Sequence, residues 1–147
     1  KLSKKDIIEI YDLRKLLESH ALQSSIKNIS SSELQSLRKI WEEMREREKE
    51  RLVPPKFYST DQEFHWRIIK KCNNQRLQAI FSQIYDLVRI CQHMYMNIEN
   101  ALDEHIEIIE AMKQKDLNRA KKLLEAHIDN ARDRVLKSLK NLKKSPL

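Results

Sequence analysis

The sequence predicts an all-α domain, an antiparallel bundle of about six helices, and three observations carry that prediction. The chain of 147 residues contains no glycine and only three prolines. Leu, Ile, Glu, Lys, Arg and Gln dominate, and all are good or adequate helix formers. Apolar residues recur at helical spacing between recognisable caps, and no stretch alternates as a strand would.

The first helix starts after "SKKD", where Ser3 can cap and Asp6 sits at the third helical position. Its apolar face runs Ile7, Ile10, Tyr11, Leu17, Ala21, and it stops near "KNIS". Ser30 with Glu33 forms a second capping box, opening a helix whose later half is almost entirely charged. "LVPPKFYS" reads as a linker, because adjacent prolines cannot continue a helix. Thr60 and Glu63 read as a third capping box, which puts Asp61 in the first turn of the third helix. "CNNQ" ends that helix, asparagine tolerating the left-handed conformation of a cap. The fourth helix carries the stripe Leu77, Ile80, Phe81, Ile84, Val88, Cys91, Tyr95. A weak break in "NIENALDEH" precedes the fifth helix, and Asp116 after "KQK" caps a sixth that reaches about Leu142.

The length suits a single domain spanning residues 1–147, able to bury roughly two-thirds of its unfolded surface. Without glycine, the usual signatures of P-loops, Rossmann turns and nucleophile elbows are missing. The net charge of +7 permits an acidic partner. The basic residues interleave with acids, however, as in "WEEMREREKER", so a solvated helix face is the expected reading. Two cysteines, Cys72 and Cys91, form no framework and no CxxC, which suits a reducing cytoplasm. No signal peptide or membrane-spanning run is present. The chain begins with Lys1, and is expected to be part of something longer.

Asp61 and His65 stand at i and i+4, on one side of a helix and about 5–6 Å apart at Cβ. His105 and His127 are equidistant from the turn at residue 116, so an antiparallel hairpin would bring them side by side, each about 16 Å of helix rise from that turn. Three imidazoles and a carboxylate suit zinc, nickel, iron or manganese, with a position left open for water or a ligand oxygen. The alternative is four separate half-buried residues, each hydrogen-bonding a neighbour. Arg14 interrupts the apolar stripe of the first helix and needs a buried partner: Glu18, another acid, or the carboxylate of a ligand. His20 reads as an ordinary histidine, His93 as another or, one turn beyond Arg89, as a residue lining the pocket, Trp41 and Trp66 as core or interface aromatics, and Cys91 as a small buried hydrophobe.

"DLRKLLESHA", "DQEFHWRIIKKCNNQRL" and "DEHIEIIEAMKQKDLNRAKKLLEAHIDNA" together resemble the FCD domain, the C-terminal effector-binding domain of FadR-subfamily GntR transcription regulators. The resemblance runs from about Ile7 to Val135. It implies an all-α bundle around a central pocket, with a divalent metal, zinc before nickel, manganese or iron, on Asp61, His65, His105 and His127. It further implies a small organic acid held by the metal with Arg14, and Arg89 as a second pocket arginine. A homodimer, no membrane, and operator DNA bound through a winged helix-turn-helix that this chain does not contain complete the expectation. Two other functions compete: a helical metalloenzyme acting on a small acid, with Glu104 and Glu107 beside His105, and a purely structural helical module.

Overall fold

The computed structural model describes residues 1–48, 55–95 and 97–144. Six helices follow in order: α1 Lys4–Ser25, α2 Ser31–Glu48, α3 Phe57–Lys70, α4 Gln75–Met94, α5 Ala101–Lys113 and α6 Leu117–Lys144. No strand occurs among the described residues.

The first two capping boxes form as expected. The Asp6 amide donates to Ser3 Oγ at 3.1 Å, and the Ser3 amide donates to Asp6 Oδ2 at 2.7 Å. Glu33 and Ser30 repeat the exchange at 3.2 and 2.8 Å. Asp116 caps α6, accepting from the Arg119 amide at 3.1 Å. The third box does not form. α3 begins at Phe57, four residues early, so "FYS" is helix rather than linker and Asp61 lies in the second turn. Phe57 is buried edge-on against Trp41, with ring centroids 5.7 Å apart, and that packing draws the first turn inward. Thr60 is buried inside the helix, its amide bonded to Lys56 O. The first part of the linker, through Pro54, lies outside the described residues.

Chain reversals without glycine need other residues at positive φ. Asn73, Asn100 and Lys115 take that conformation, with φ of 56°, 62° and 56°. Lys115 turns α5 into α6 and sends its Nζ to Ile26 O and Ile29 O, at 2.6 and 2.9 Å. That pins the α5–α6 turn to the end of α1.

α1 packs against α3, α4 and α6, α5 against α2 and α6, and α2 against α3. The core is continuous, with Trp41, Tyr11, Phe64, Phe81 and Tyr85 as its largest apolar members. On α4 the buried face is rotated from the predicted stripe. Tyr85 is buried while Ile80 is half exposed and Ile84 only partly covered, because α4 offers α1 the edge carrying Phe81, Tyr85, Val88 and Cys91. Into this core the fold admits an unusual set of polar side chains: Arg14, Glu18, Asp61, His65, His105 and His127.

Candidate metal centre

Three helices deliver the four predicted ligands to one point. α3 brings Asp61 and His65, α5 brings His105, and α6 brings His127. The α5–α6 hairpin sets the last two face to edge, with ring centroids 4.2 Å apart. One ligand atom from each residue lies within 4.8 Å of all the others. That span is close to what one ion bridges with Zn–N and Zn–O bonds of about 2.0–2.2 Å.

The hydrogen bonds around the cluster decide which atoms face inward. His65 Nδ1 contacts Glu18 Oε1, His105 Nδ1 lies 2.6 Å from Ala101 O, and His127 Nδ1 lies 2.8 Å from Glu104 Oε1. Carboxylates and carbonyls only accept, so each Nδ1 is placed to donate outward, and a ring that is neutral in that tautomer turns a bare Nε2 to the centre. There, His65 Nε2 is 3.3 Å from His127 Nε2 and 3.2 Å from Asp61 Oδ1, and His105 Nε2 is 2.8 Å from the same Oδ1. Three ring nitrogens and a carboxylate oxygen thus converge within the core. With the rings neutral these acceptors need a donor or a cation between them, and a metal ion meets all four at once. The donor set of three imidazoles and one carboxylate suits a first-row divalent ion.

The surroundings hold these groups in place. Asp61 Oδ2 accepts from Gln92 Nε2 at 2.8 Å and from the Tyr85 hydroxyl at 3.4 Å, which aims Oδ1 at the histidines. Trp41 lies flat on His105 at 4.0 Å, and Phe64 stands edge-on to both His65 and His105. Burial opposes the charge on Asp61, but His65 and His105 outweigh it and keep the carboxyl well below its usual range. Burial, reinforced by the other two rings, pushes His127 well down, and burial also lowers His105. On His65 burial is outweighed by Glu18, which raises it. The Glu18 carboxyl, its burial offset by His65 and Arg14, is held at about 2.

A small cavity of about 30 Å³ opens beside the cluster, lined in part by Asp61 and His127 together with Arg14, Tyr95, Gln92 and Arg134. Arg14 is 1% exposed and pairs with Glu18, Nε to Oε2 at 2.7 Å. Its Nη2 is buried with no hydrogen-bond partner, and so is the Tyr95 hydroxyl on the same wall.

Arg89 is not brought to this cavity. It is exposed on α4 and lines a surface groove with Trp66, Lys70 and Asp86, because the rotation that buries Tyr85 turns Arg89 outward. The cavity's second arginine is Arg134, on α6 two turns beyond His127. Sequence reasoning passed over it, together with Gln92 and Tyr85, and gave Glu104 only as a neighbour of His105. Helical spacing held a signal for each, since Arg134 follows His127 by seven residues and Gln92 follows Tyr85 by seven. His20 and His93 are both exposed, and Cys91 is buried, its thiol pushed up to about 11 by burial.

Comparison with known proteins places the fold. The solved structure of the metal-free FCD domain of TM0439, a candidate transcriptional regulator, superposes with a TM-score of 0.81 at 23% identity, over 95% of this chain and 97% of that one. The HTH-type transcriptional regulator YdhC of Bacillus subtilis, itself uncharacterized, is 28% identical over 88% of this chain and 59% of its own length. The Uxu operon transcriptional regulator of Escherichia coli is 25% identical over 87% of this chain and 53% of its own. The chain therefore spans a little over half the length of these curated relatives, both named as transcriptional regulators. The model of the FCD domain family matches residues 9–130, from the first turns of α1 to beyond His127, and the chain belongs to that family.

Proposed function

We propose that this domain is the effector-sensing part of a DNA-binding transcription regulator, and that it binds a divalent transition metal together with a small carboxylate. The observation that carries the reading is the convergence of three Nε2 atoms and Asp61 Oδ1 beside an unpartnered, buried guanidinium nitrogen of Arg14. Asp61, His65, His105 and His127 would hold the metal, zinc by preference and otherwise nickel, manganese or iron. The metal would supply an open coordination position for a ligand oxygen. Arg14 supplies the second anchor, a fixed donor for a carboxylate oxygen, and the Tyr95 hydroxyl offers a third for a hydroxyl or carbonyl. The naming of one relative as metal-free supports a metal in this family's pocket.

The hydrolytic alternative has little to work with. Glu104, the acid beside His105, is already engaged by His127, Asn130 and Arg134, and Glu107 faces solvent. Operator DNA would be met by a winged helix-turn-helix outside this chain, in keeping with the helix-turn-helix named for YdhC. A homodimer is supported by apolar side chains left exposed on the neighbouring helices α1 and α4: Leu13 and Leu16, Ile80, Ile90 and Met94.

Native mass spectrometry with elemental analysis tests metal, acid and dimer at once. The expected result is one first-row ion per chain, lost on substitution of His105 or His127 by alanine and retained in His20→Ala. Equal loss in His20→Ala would refute the ligand assignment.

A further inference from the structure

Two carboxylates in the site each tie a cluster histidine to an arginine of the cavity wall. Glu18 meets His65 Nδ1 through Oε1 and Arg14 Nε through Oε2. Glu104 accepts from His127 Nδ1 at 2.8 Å and from Arg134 Nη2 at 3.1 Å. The two differ in their access to water: the Glu18 side chain is 0% exposed and that of Glu104 16%. Water can take over a lost hydrogen bond at Glu104, but not at Glu18.

We propose that Glu18 is a positioning residue through which metal binding at His65 and anion binding at Arg14 reinforce each other. The inference rests on the function proposed above and adds the route by which its two ligands communicate. A carboxylate accepts and never donates, so Glu18 requires His65 to show it Nδ1–H and to keep Nε2 bare for the centre. The same carboxylate grips Arg14 by Nε, which leaves Nη2 at the cavity. A cation on Nε2 makes Nδ1–H a stronger donor and draws the Glu18 charge towards His65. Arg14 is then less compensated and attracts an external anion more strongly. An anion on Arg14 acts in reverse, releasing Glu18 to His65 and making Nε2 a better donor to the cation. Linkage requires the two effects to be equal in size.

Glutamine at position 18 sets the test, because it has nearly the same shape but one acceptor and one donor. It cannot accept from His65 Nδ1 and Arg14 Nε together. If its oxygen takes Arg14, its amide faces Nδ1 and forces the proton of His65 onto Nε2, where it blocks the centre. Zinc affinity is measured by competition with a chromophoric chelator, with and without lactate as the anion. The ring protonation of His65 is followed by nitrogen-15 NMR, and folding by circular dichroism of the metal-free domain. Glu18→Gln is expected to lower zinc affinity about 10–100-fold in the absence of any anion. The double variant Glu18→Gln/Arg14→Met removes the competing donor and leaves no unpaired buried charge. It therefore also serves if the single variant fails to fold. It is expected to recover most of the zinc affinity and to show a smaller enhancement of zinc binding by lactate than the unsubstituted domain.

Zinc binding as tight in Glu18→Gln as in the unsubstituted domain would overturn the proposal. So would a double variant that binds zinc normally with the lactate enhancement unchanged, or one as weak as a single variant that does fold. Failure of the unsubstituted domain to bind zinc would instead overturn the function on which the proposal rests.

Discussion

The indole of Trp41 lies flat against the imidazole of His105, with centroids 4.0 Å apart and planes 14° from parallel. Trp41 is fully buried, its indole nitrogen has no hydrogen-bond partner, and the ring of His105 is stacked on it. A cation arriving on His105 Nε2 changes the electronic character of that ring and should alter Trp41 emission. Trp66→Phe should keep the fluorescence response to zinc titration, and Trp41→Phe should abolish it. A response that survives in Trp41→Phe would show that the ion binds elsewhere.

Metal affinity should fall as pH drops through about 6.5, because protons compete for the same nitrogens. The metal-free fold has its own dependence. His127 and His105 are held neutral, below their unfolded values, so the stability linked to them is complete above about 6.5 and declines as pH falls towards their folded values. His65 is raised, so its contribution is complete below about 6.5 and is lost as pH rises through its folded value. With two groups against one, the metal-free domain should melt lower at pH 5.5 than at pH 7.5. His127→Gln should reduce that difference, which thermal denaturation across the range can measure.

Arg14 and Arg89 should behave oppositely. Arg14→Ala leaves Glu18 buried without its guanidinium and should cost on the order of 3 kcal/mol of stability. In addition, carboxylates should no longer raise the melting temperature of the metal-loaded protein. Arg89→Ala removes an exposed side chain and should change stability by less than about 0.5 kcal/mol. A screen of lactate-, citrate- and sugar-acid-like compounds reads both. If no carboxylate stabilises the unsubstituted domain while a neutral molecule does, the pocket chemistry is wrong.

The capping box at Ser30 gives a prediction free of the metal. Ser30→Ala removes the acceptor for the Glu33 amide and should lower stability by about 1 kcal/mol, measurable by urea denaturation.

Most of the fold was legible because period and caps act locally. Ser3, Ser30 and Asp116 each satisfy amides within three residues, so the sequence around them is enough. Thr60 failed because the packing of Phe57 on Trp41, residues from two different helices, overrode a local signal. His105 and His127 were paired correctly because a hairpin makes distance from the turn a spatial coordinate. Arg89 was misplaced because the face of α4 that meets α1 depends on a neighbour, and a rotation of a fraction of a turn exchanges Tyr85 for Ile84. Glu104 was noticed only as a neighbour of His105, since its role depends on α6 bringing His127 and Arg134 across to it.

The left-handed turns at Asn73, Asn100 and Lys115 also bear on the denatured chain. Each non-glycine residue there stores a little strain, which a glycine would release. A chain with no glycine samples fewer backbone conformations once unfolded, so ordering it costs less entropy at each position where glycine would otherwise stand. For Asn73→Gly the two effects oppose each other, and little net change follows. Lys115→Gly adds a third loss, the two carbonyls of Ile26 and Ile29 that Lys115 serves. The narrowness of the denatured ensemble is thus a source of stability that none of the native contacts displays.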